Sequence, residues 1–413
     1  MTILASALSR REFVFLVAGL MMTEALAIDI MLPALPNIGQ SFAVLNENDR
    51  SLVVTVFLYG FGLPQVIFGP ISDRFGRRSL VLGGMAAFIA TALLAIASPT
   101  FTLLLVFRFL QGVAGACVRV ALTACVRDLY SGKAMAEIMS LVFAVFLLVP
   151  VIMPSVGQLV LLAGPWQLIF VVIAAISMVF TVWAGFRLGE TLAPADRRPL
   201  SFKGVTEGFA IVFTNRRALF YGMSGAFLFA AVMGFILPGQ QIFAELYGWG
   251  PYYPVAMVAI GGTAAVSSFI ASRIIDPIGV RRAAHWSGVL LPVLAFAAAL
   301  LNVTMGLNAY VFLAFVMAFN VPLVLGFSTT GALSLEPLGH VAGTASAVFG
   351  LVSTVGGAFL SYLIAQQYDG STTPILLGIG IMGLLAFACY AIAEGGKLFG
   401  ADPAPLSAVP AEA

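Results

Sequence analysis

The sequence predicts an all-α membrane protein with twelve transmembrane helices in two pseudo-symmetric six-helix bundles. Three observations carry that prediction. Of 413 residues, 61% are apolar and 9% charged, where a water-soluble domain has about 25% charged. The apolar residues fall into twelve runs of roughly 20, the length that crosses bilayer hydrocarbon. A charged hairpin, Gly69-Pro-Ile-Ser-Asp73-Arg74-Phe-Gly76-Arg77-Arg78, returns in weaker form as Ser272-Arg-Ile-Ile-Asp276-Pro-Ile-Gly279-Val-Arg281-Arg282. Asp73 to Asp276 and Gly76 to Gly279 are both separated by 203 residues, so one half of the chain repeats the other.

The runs place spans 1 to 6 at about 13–34, 51–71, 79–97, 102–126, 135–160 and 166–187. Pro33 and Pro36 end span 1, and the charged hairpin forces the reversal between spans 2 and 3. Gly69 is expected to let helices approach closely, Gly76 to turn the chain, and Asp73 to meet a helix N-terminus or an arginine. Spans 7 to 12 follow near 218–240, 252–272, 283–301, 309–330, 342–366 and 374–394. The chain is therefore divided into a first bundle (1–187), a cytoplasmic linker (188–216), a second bundle (217–396) and a disordered Pro/Ala-rich tail (397–413).

Basic residues set the orientation. With the N-terminus inside, seventeen of the twenty lysines and arginines fall in cytoplasmic segments, and only Arg50 lies in an outer loop. Both termini are thus expected in the cytoplasm. No cleavable leader is expected, because the first apolar run is long enough to span and ends without a small-residue site. Cys117, Cys125 and Cys389 lie in apolar runs without metal-ligand spacing and are expected as reduced thiols among helices; no metal or other cofactor is expected.

Ionised groups inside spans are costly and mark functional candidates. There are four: Glu24 and Asp29 on span 1, Arg108 and Arg119 on span 4. At about 1.5 Å rise per residue, Asp29 and Arg108 lie roughly 7 and 9 Å from the outer ends of their spans, Glu24 roughly 15 Å and Arg119 roughly 25 Å. Asp29 is therefore expected to pair with or be tuned by Arg108, with Glu24 between the two arginines. Proton coupling is assigned to these four. Burial favours a protonated carboxyl and a nearby arginine the ionised one, so a site that alternately meets water can take up and release a proton. Static ion pairs that only position helices are the simpler alternative.

Pro150 and Pro154, followed by Gly157, predict a bend in span 5 that serves as a hinge or as a plain kink. Small residues in Arg108-Phe-Leu-Gln111-Gly112-Val-Ala-Gly115-Ala116 predict close helix packing. Tyr59, Phe143, Phe146, Phe235 and Tyr362, near mid-span, are candidate walls of an apolar cavity.

Taken with Ile28-Asp29-Ile-Met-Leu-Pro33-Ala-Leu-Pro36, Val126-Arg127-Asp128-Leu-Tyr130 and Ala342-Gly-Thr-Ala-Ser-Ala347, these motifs resemble the bicyclomycin/chloramphenicol-resistance (Bcr/CflA) type of drug:proton antiporter in the major facilitator superfamily. The resemblance implies the major facilitator fold around a central cavity and proton-driven export of small amphipathic drug-like compounds. In it Asp29 is the span 1 acid and Arg108 the span 4 arginine of proton transfer. Gating falls to Asp73, Arg74, Gly76, Arg77, Arg78, Pro150, Pro154 and Gly157. The partners implied are a small-molecule substrate, protons and the lipid bilayer of a bacterial inner membrane, with no nucleic acid and a monomeric state. Glu24, Arg119, Gln158 and Asp276-Pro277 depart from the typical pattern and favour an acidic or zwitterionic metabolite more than in a typical member. A metabolite exporter or facilitator is the alternative; an enzyme lacks any nucleophile or metal set to support it.

Overall fold

The computed structural model describes residues 8–197 and 203–400, and the side chains of a few helical residues, Phe143, Phe146 and His340 among them, lie outside the described set. The expected disorder of residues 401–413 and the position of Arg198 also lie outside it.

Every expected span is helical. The first six are Arg10–Asp29, Leu52–Gly62 continued as Gln65–Phe75, Arg77–Ile96, Phe101–Leu129, Gly132–Ala163 and Gln167–Arg187. The second six are Arg216–Gln240, Tyr253–Ile278, Val280–Met305, Ala309–Leu335, Ala342–Leu351 continued as Gly357–Gln366, and Thr373–Ala393. Side-chain oxygens start several of them: Ser9, Thr100, Asn215 and Asn308 each accept from a backbone N–H three residues on, which satisfies one of the donors a helix start leaves free.

Span 1 packs on spans 4, 5 and 6, span 3 on 4 and 6, and span 2 on 4; span 7 packs on 10, 11 and 12, span 9 on 10 and 12, and span 8 on 10. Adding six to each span number maps one set onto the other. The contacts between halves obey the same rule, span 2 against span 11 and span 5 against span 8. Spans 2 and 4 cross backbone to backbone: a Cβ at Gly112 would overlap the Phe57 carbonyl, and one at Gly60 the Phe109 carbonyl. Gly69, expected to serve a close approach, has nothing within 4 Å of where its Cβ would stand. Large apolar side chains such as Phe186, Met305 and Val303 stand exposed around the rim, where lipid rather than water is their natural solvent.

A sharp bend that the sequence did not lead us to expect lies in span 2. Its two pieces meet at 47° across Leu63 and Pro64, where proline removes a backbone donor and clashes with the preceding turn. Gly132–Ala163, by contrast, runs as one helix through Pro150 and Pro154. The span 2 break faces an irregularity across the molecule, a wide turn at Val352–Gly356 in span 11; a Cβ on Gly62 would meet Val355 and Thr354 there.

The linker is not wholly irregular. Lys203–Thr214 is helical, and Phe209 and Val212 bury against Ala218, Leu338, Ala345 and Val348. At the other end of the second half, residues 397–400 are placed against span 9. The Phe399 N–H donates to His285 Nδ1 at 3.0 Å and its carbonyl accepts from Arg282 Nε at 3.1 Å. All three cysteines are free and buried. Below, the end of the molecule that carries the 69–78 hairpin is the basic end, and the other is the Arg50 end.

Candidate substrate and proton site

A cavity of about 370 Å³ lies between the halves, walled by spans 1, 2, 4 and 5 on one side and 7, 8, 10 and 11 on the other. Its lining is overwhelmingly apolar, with Phe57, Phe61, Met233, Phe235, Phe319 and Phe327 prominent, and its ionisable members are Glu24, Asp29 and Arg119. Glu24 and Asp29 are about 140° apart on the helix wheel, yet both line it. Pro150 and Pro154 line it too, while Gly157 lets span 5 close on span 1: a Cβ there would overlap the Ile30 carbonyl and press on Pro33.

Of the aromatic candidates, Phe235 is in the wall. Tyr59 and Tyr362 are not, and the side chains of Phe143 and Phe146 lie outside the described set. Tyr59 stands two residues from Phe57, about 200° around the helix, so the face that reaches the cavity carries Phe57 and Phe61, whose rings stack at 6.4 Å. Tyr362 instead turns its hydroxyl to Asp49 at 3.5 Å.

Arg119 and Glu24 meet. Arg119 NH1 donates to Glu24 Oε1 at 3.0 Å, the length of the arginine closing the offset in depth between the two spans. The other Glu24 oxygen is buried without a partner among the described residues. Arg108 behaves differently from the expectation. It is fully buried, and its donors go to the Val53 carbonyl (3.0 Å), the Ala27 carbonyl (3.1 Å) and Gln111 Oε1 (2.6 Å). Its guanidinium carbon lies 4.5 Å from the Phe57 ring centroid, a cation–π contact. Among the described residues no ion pair joins it to Asp29, whose carboxylate is buried in the cavity wall. Two backbone carbonyls and an amide oxygen take one bond from each guanidinium nitrogen where a single carboxylate was expected.

At the basic end the hairpin is a charge hub. Gly76 has φ 92 and ψ 155, a region essentially restricted to glycine. Arg77 is 3% exposed and reaches Asp73 (2.6 Å), Ser72 Oγ (2.9 Å) and Asp128 (2.9 Å). Its backbone N–H donates to Glu190 at 2.8 Å. Asp73 therefore answers to an arginine of its own hairpin. Arg78 caps the Gly185 carbonyl at 2.7 Å, and Arg74 lies over Phe75. The second half carries a looser copy. Gly279 has φ 86 and ψ 160, and Arg281 lies 3.5 Å from Glu336 and 3.8 Å from Glu394. Glu394 also takes Arg217 and the Tyr221 hydroxyl, both at 3.0 Å.

The Arg50 end is tied across the halves. Arg50 bonds Glu47 (2.9 Å) and Glu245 (3.0 Å). Asn48 donates to the Gln366 and Tyr368 carbonyls at 3.2 and 2.9 Å, and Asp49 accepts from Gln366 at 2.9 Å. Burial above all, then the charges of Glu245 and Asp369, pushes the Tyr368 phenol up to about 12, so it is a neutral group here at any physiological pH. Among the described residues, the hydrogen bonds between the halves gather at this end. The halves also touch at the basic end, where Gln65–Phe75 packs on Ala342–Leu351.

Residues 17–361 match the family model of the Major Facilitator Superfamily. The chain belongs to that superfamily. It is 26% identical over 389 residues to a bicyclomycin resistance protein homolog of Haemophilus influenzae, covering 92% of this chain and 95% of the relative. It is 27% identical over 342 residues to multidrug resistance protein MdtL of Escherichia coli O157:H7, covering 82% and 84%. A crystal structure of a D-xylose-proton symporter superposes with a TM-score of 0.73 at 13% identity, covering 92% of this chain and 97% of that one, a likeness of fold alone. These relatives are of the resistance-transporter kind that the motifs resemble. This chain is a multi-pass membrane transporter, not an enzyme. Among its described residues no cluster of histidine, cysteine and carboxylate side chains has the arrangement of a metal site.

Proposed function

We propose that this chain is a proton-coupled exporter of small amphipathic drug-like molecules, working by alternating access in a bacterial inner membrane with the basic end in the cytoplasm. The observation that carries the reading is the apolar cavity with two carboxylates and one arginine in its wall, beneath an Arg50 end that polar bonds hold shut. With that end shut, substrate is proposed to enter from the cytoplasm or inner leaflet when the basic end parts. Asp29, which no arginine meets among the described residues, is the main proton carrier, and Glu24 is engaged by Arg119. Opening of the Arg50 end exposes Asp29 to the acidic exterior, where it binds a proton as substrate leaves; reclosure and inward opening release that proton.

The driving force is adequate. One pH unit contributes about 1.4 kcal/mol per proton and 100 mV about 2.3 kcal/mol per charge, which together support a concentration ratio of several hundred for a neutral substrate exchanged with one proton. The Arg77 hub is proposed to hold spans 2, 3, 4 and 6 as one body while the halves rock, with Pro150 and Pro154 as a yielding point beside the cavity. Efflux of a fluorescent amphiphile from proteoliposomes under an imposed pH gradient tests the reading: uptake or release indifferent to the gradient would remove proton coupling and leave a facilitator.

A further inference from the structure

Each of the two walls of the cavity presents a hydrogen-bond acceptor to the space between them. On the second half the polar members are Asn320 of span 10 and Thr354 of span 11, and Asn320 is the one whose orientation its partners fix. Its Nδ2 donates to the Ile260 carbonyl and to Thr263 Oγ1, both at 2.8 Å. The Ile260 carbonyl can only accept, and the Thr263 hydroxyl gives its own proton to that same carbonyl at 2.8 Å. The orientation of the amide is therefore fixed by its partners. Nitrogen faces span 8, and the Oδ1 atom, which accepts no hydrogen bond among the described residues, is left for the cavity.

On the first half Glu24 is buried, with one oxygen on Arg119 and the other without a partner. A buried acceptor left unmet costs about 1 to 3 kcal/mol, so a ligand that brings a donor to it gains on binding. Arg119, the charged donor in the wall, is bonded to Glu24. Asp29 adds a further acceptor. A carboxylate entering here would stand against two carboxyl groups and the Asn320 oxygen, and would have to compete with Glu24 for Arg119.

We infer that the cavity selects an amphiphile with a hydrogen-bond-donating head, above all a protonated amine, held between Glu24 of span 1 and Asn320 of span 10, and that Asn320 is the specificity-determining residue of the second half. This rests on the transporter reading above and names its substrate class. It turns away from the acidic metabolite that Arg119 suggested in the sequence. Phe57, Phe61, Phe235, Phe319 and Met233 supply the apolar and aromatic surface for the body of the molecule, and rings beside an ammonium add cation–π attraction.

The test is binding of three probes of one shape to the full chain in lipid nanodiscs, corrected for partition into empty discs. The probes are 2-naphthylethylamine, 2-propylnaphthalene and 3-(2-naphthyl)propanoate. The amine is expected to bind at least about tenfold tighter than the hydrocarbon, and the carboxylate weaker than both. Asn320→Leu and Glu24→Gln are each expected to lower the amine-to-hydrocarbon affinity ratio at least fivefold, the hydrocarbon reporting that the cavity is formed. Should Asn320→Leu not fold, Asn320→Ser and the wild-type order of the probes decide in its place. A carboxylate that binds as tightly as the amine, or an affinity ratio untouched by the Asn320 substitutions, overturns the inference. Gradient-driven efflux alongside a carboxylate preference would sink this inference and spare the exporter reading; amine preference without gradient-driven efflux would do the reverse.

Discussion

Arg119 on span 4 and Glu24 on span 1 are joined at 3.0 Å in the wall of the central cavity, and the second Glu24 oxygen is buried and unmet. Removing the arginine strands a buried carboxylate, so Arg119→Met is expected to cost about 3 to 5 kcal/mol of stability. Adding Glu24→Gln should restore a good part of it. Thermal denaturation of the two single variants and the double variant measures the coupling; additive losses would mean that the pair contributes nothing as a pair.

Arg108 is the knot of the first half. Because it ties spans 1, 2 and 4 through two carbonyls and Gln111, Arg108→Met should destabilise by about 3 kcal/mol or more. Asp29→Asn leaves no partner stranded and should cost much less. Comparable losses that fail to add in the double variant would restore the ion pair between them that the geometry lacks.

Gly76 and Glu190 make a further pair. A side chain at Gly76 is strained by its backbone, at about 1 to 3 kcal/mol, and would also press on the Glu190 carboxylate. Gly76→Val, Glu190→Ala and Asp73→Asn are expected to slow turnover while substrate affinity stays near wild type, since none touches the cavity. Parallel losses of affinity and turnover in folded protein would contradict a role in conformational exchange.

The ties at the Arg50 end predict a population shift. Asn48→Ala with Gln366→Ala removes several partly exposed hydrogen bonds. A loss of about 1 to 3 kcal/mol would shift the ratio of closed to open forms about 5- to 150-fold. Spin labels at Leu45 and Leu246, one on each half, should then report a longer distance. An unchanged distance distribution would show that these bonds do not hold the end closed.

The spans were legible because apolar runs of membrane length leave little else for the chain to do, and the hairpin was legible because charge is rare elsewhere. Faces and bends were less so. Tyr59 lost its place to Phe57 and Phe61 because a two-residue error on a helix is more than half a turn, and mid-span depth says nothing about direction. Pro150 and Pro154 drew the expected bend to span 5, whereas the break at Leu63 and Pro64 in span 2 was not anticipated. The Glu24 and Arg119 pair could be reached from depth plus side-chain length. Asn320 escaped because attention to ionisable residues passes over an amide, and Glu336 and Glu394 escaped because they sit where span boundaries blur.

The central claim is that Asp29, buried in the cavity wall without an arginine partner among the described residues, carries the coupling proton. The direct measurement is substrate efflux in proteoliposomes of Asp29→Asn protein under an imposed pH gradient, with substrate binding followed by fluorescence in the same preparation. The account predicts that binding persists and that accumulation against the substrate gradient is lost. Undiminished gradient-driven transport by folded Asp29→Asn protein would contradict it and leave Glu24 as the proton carrier.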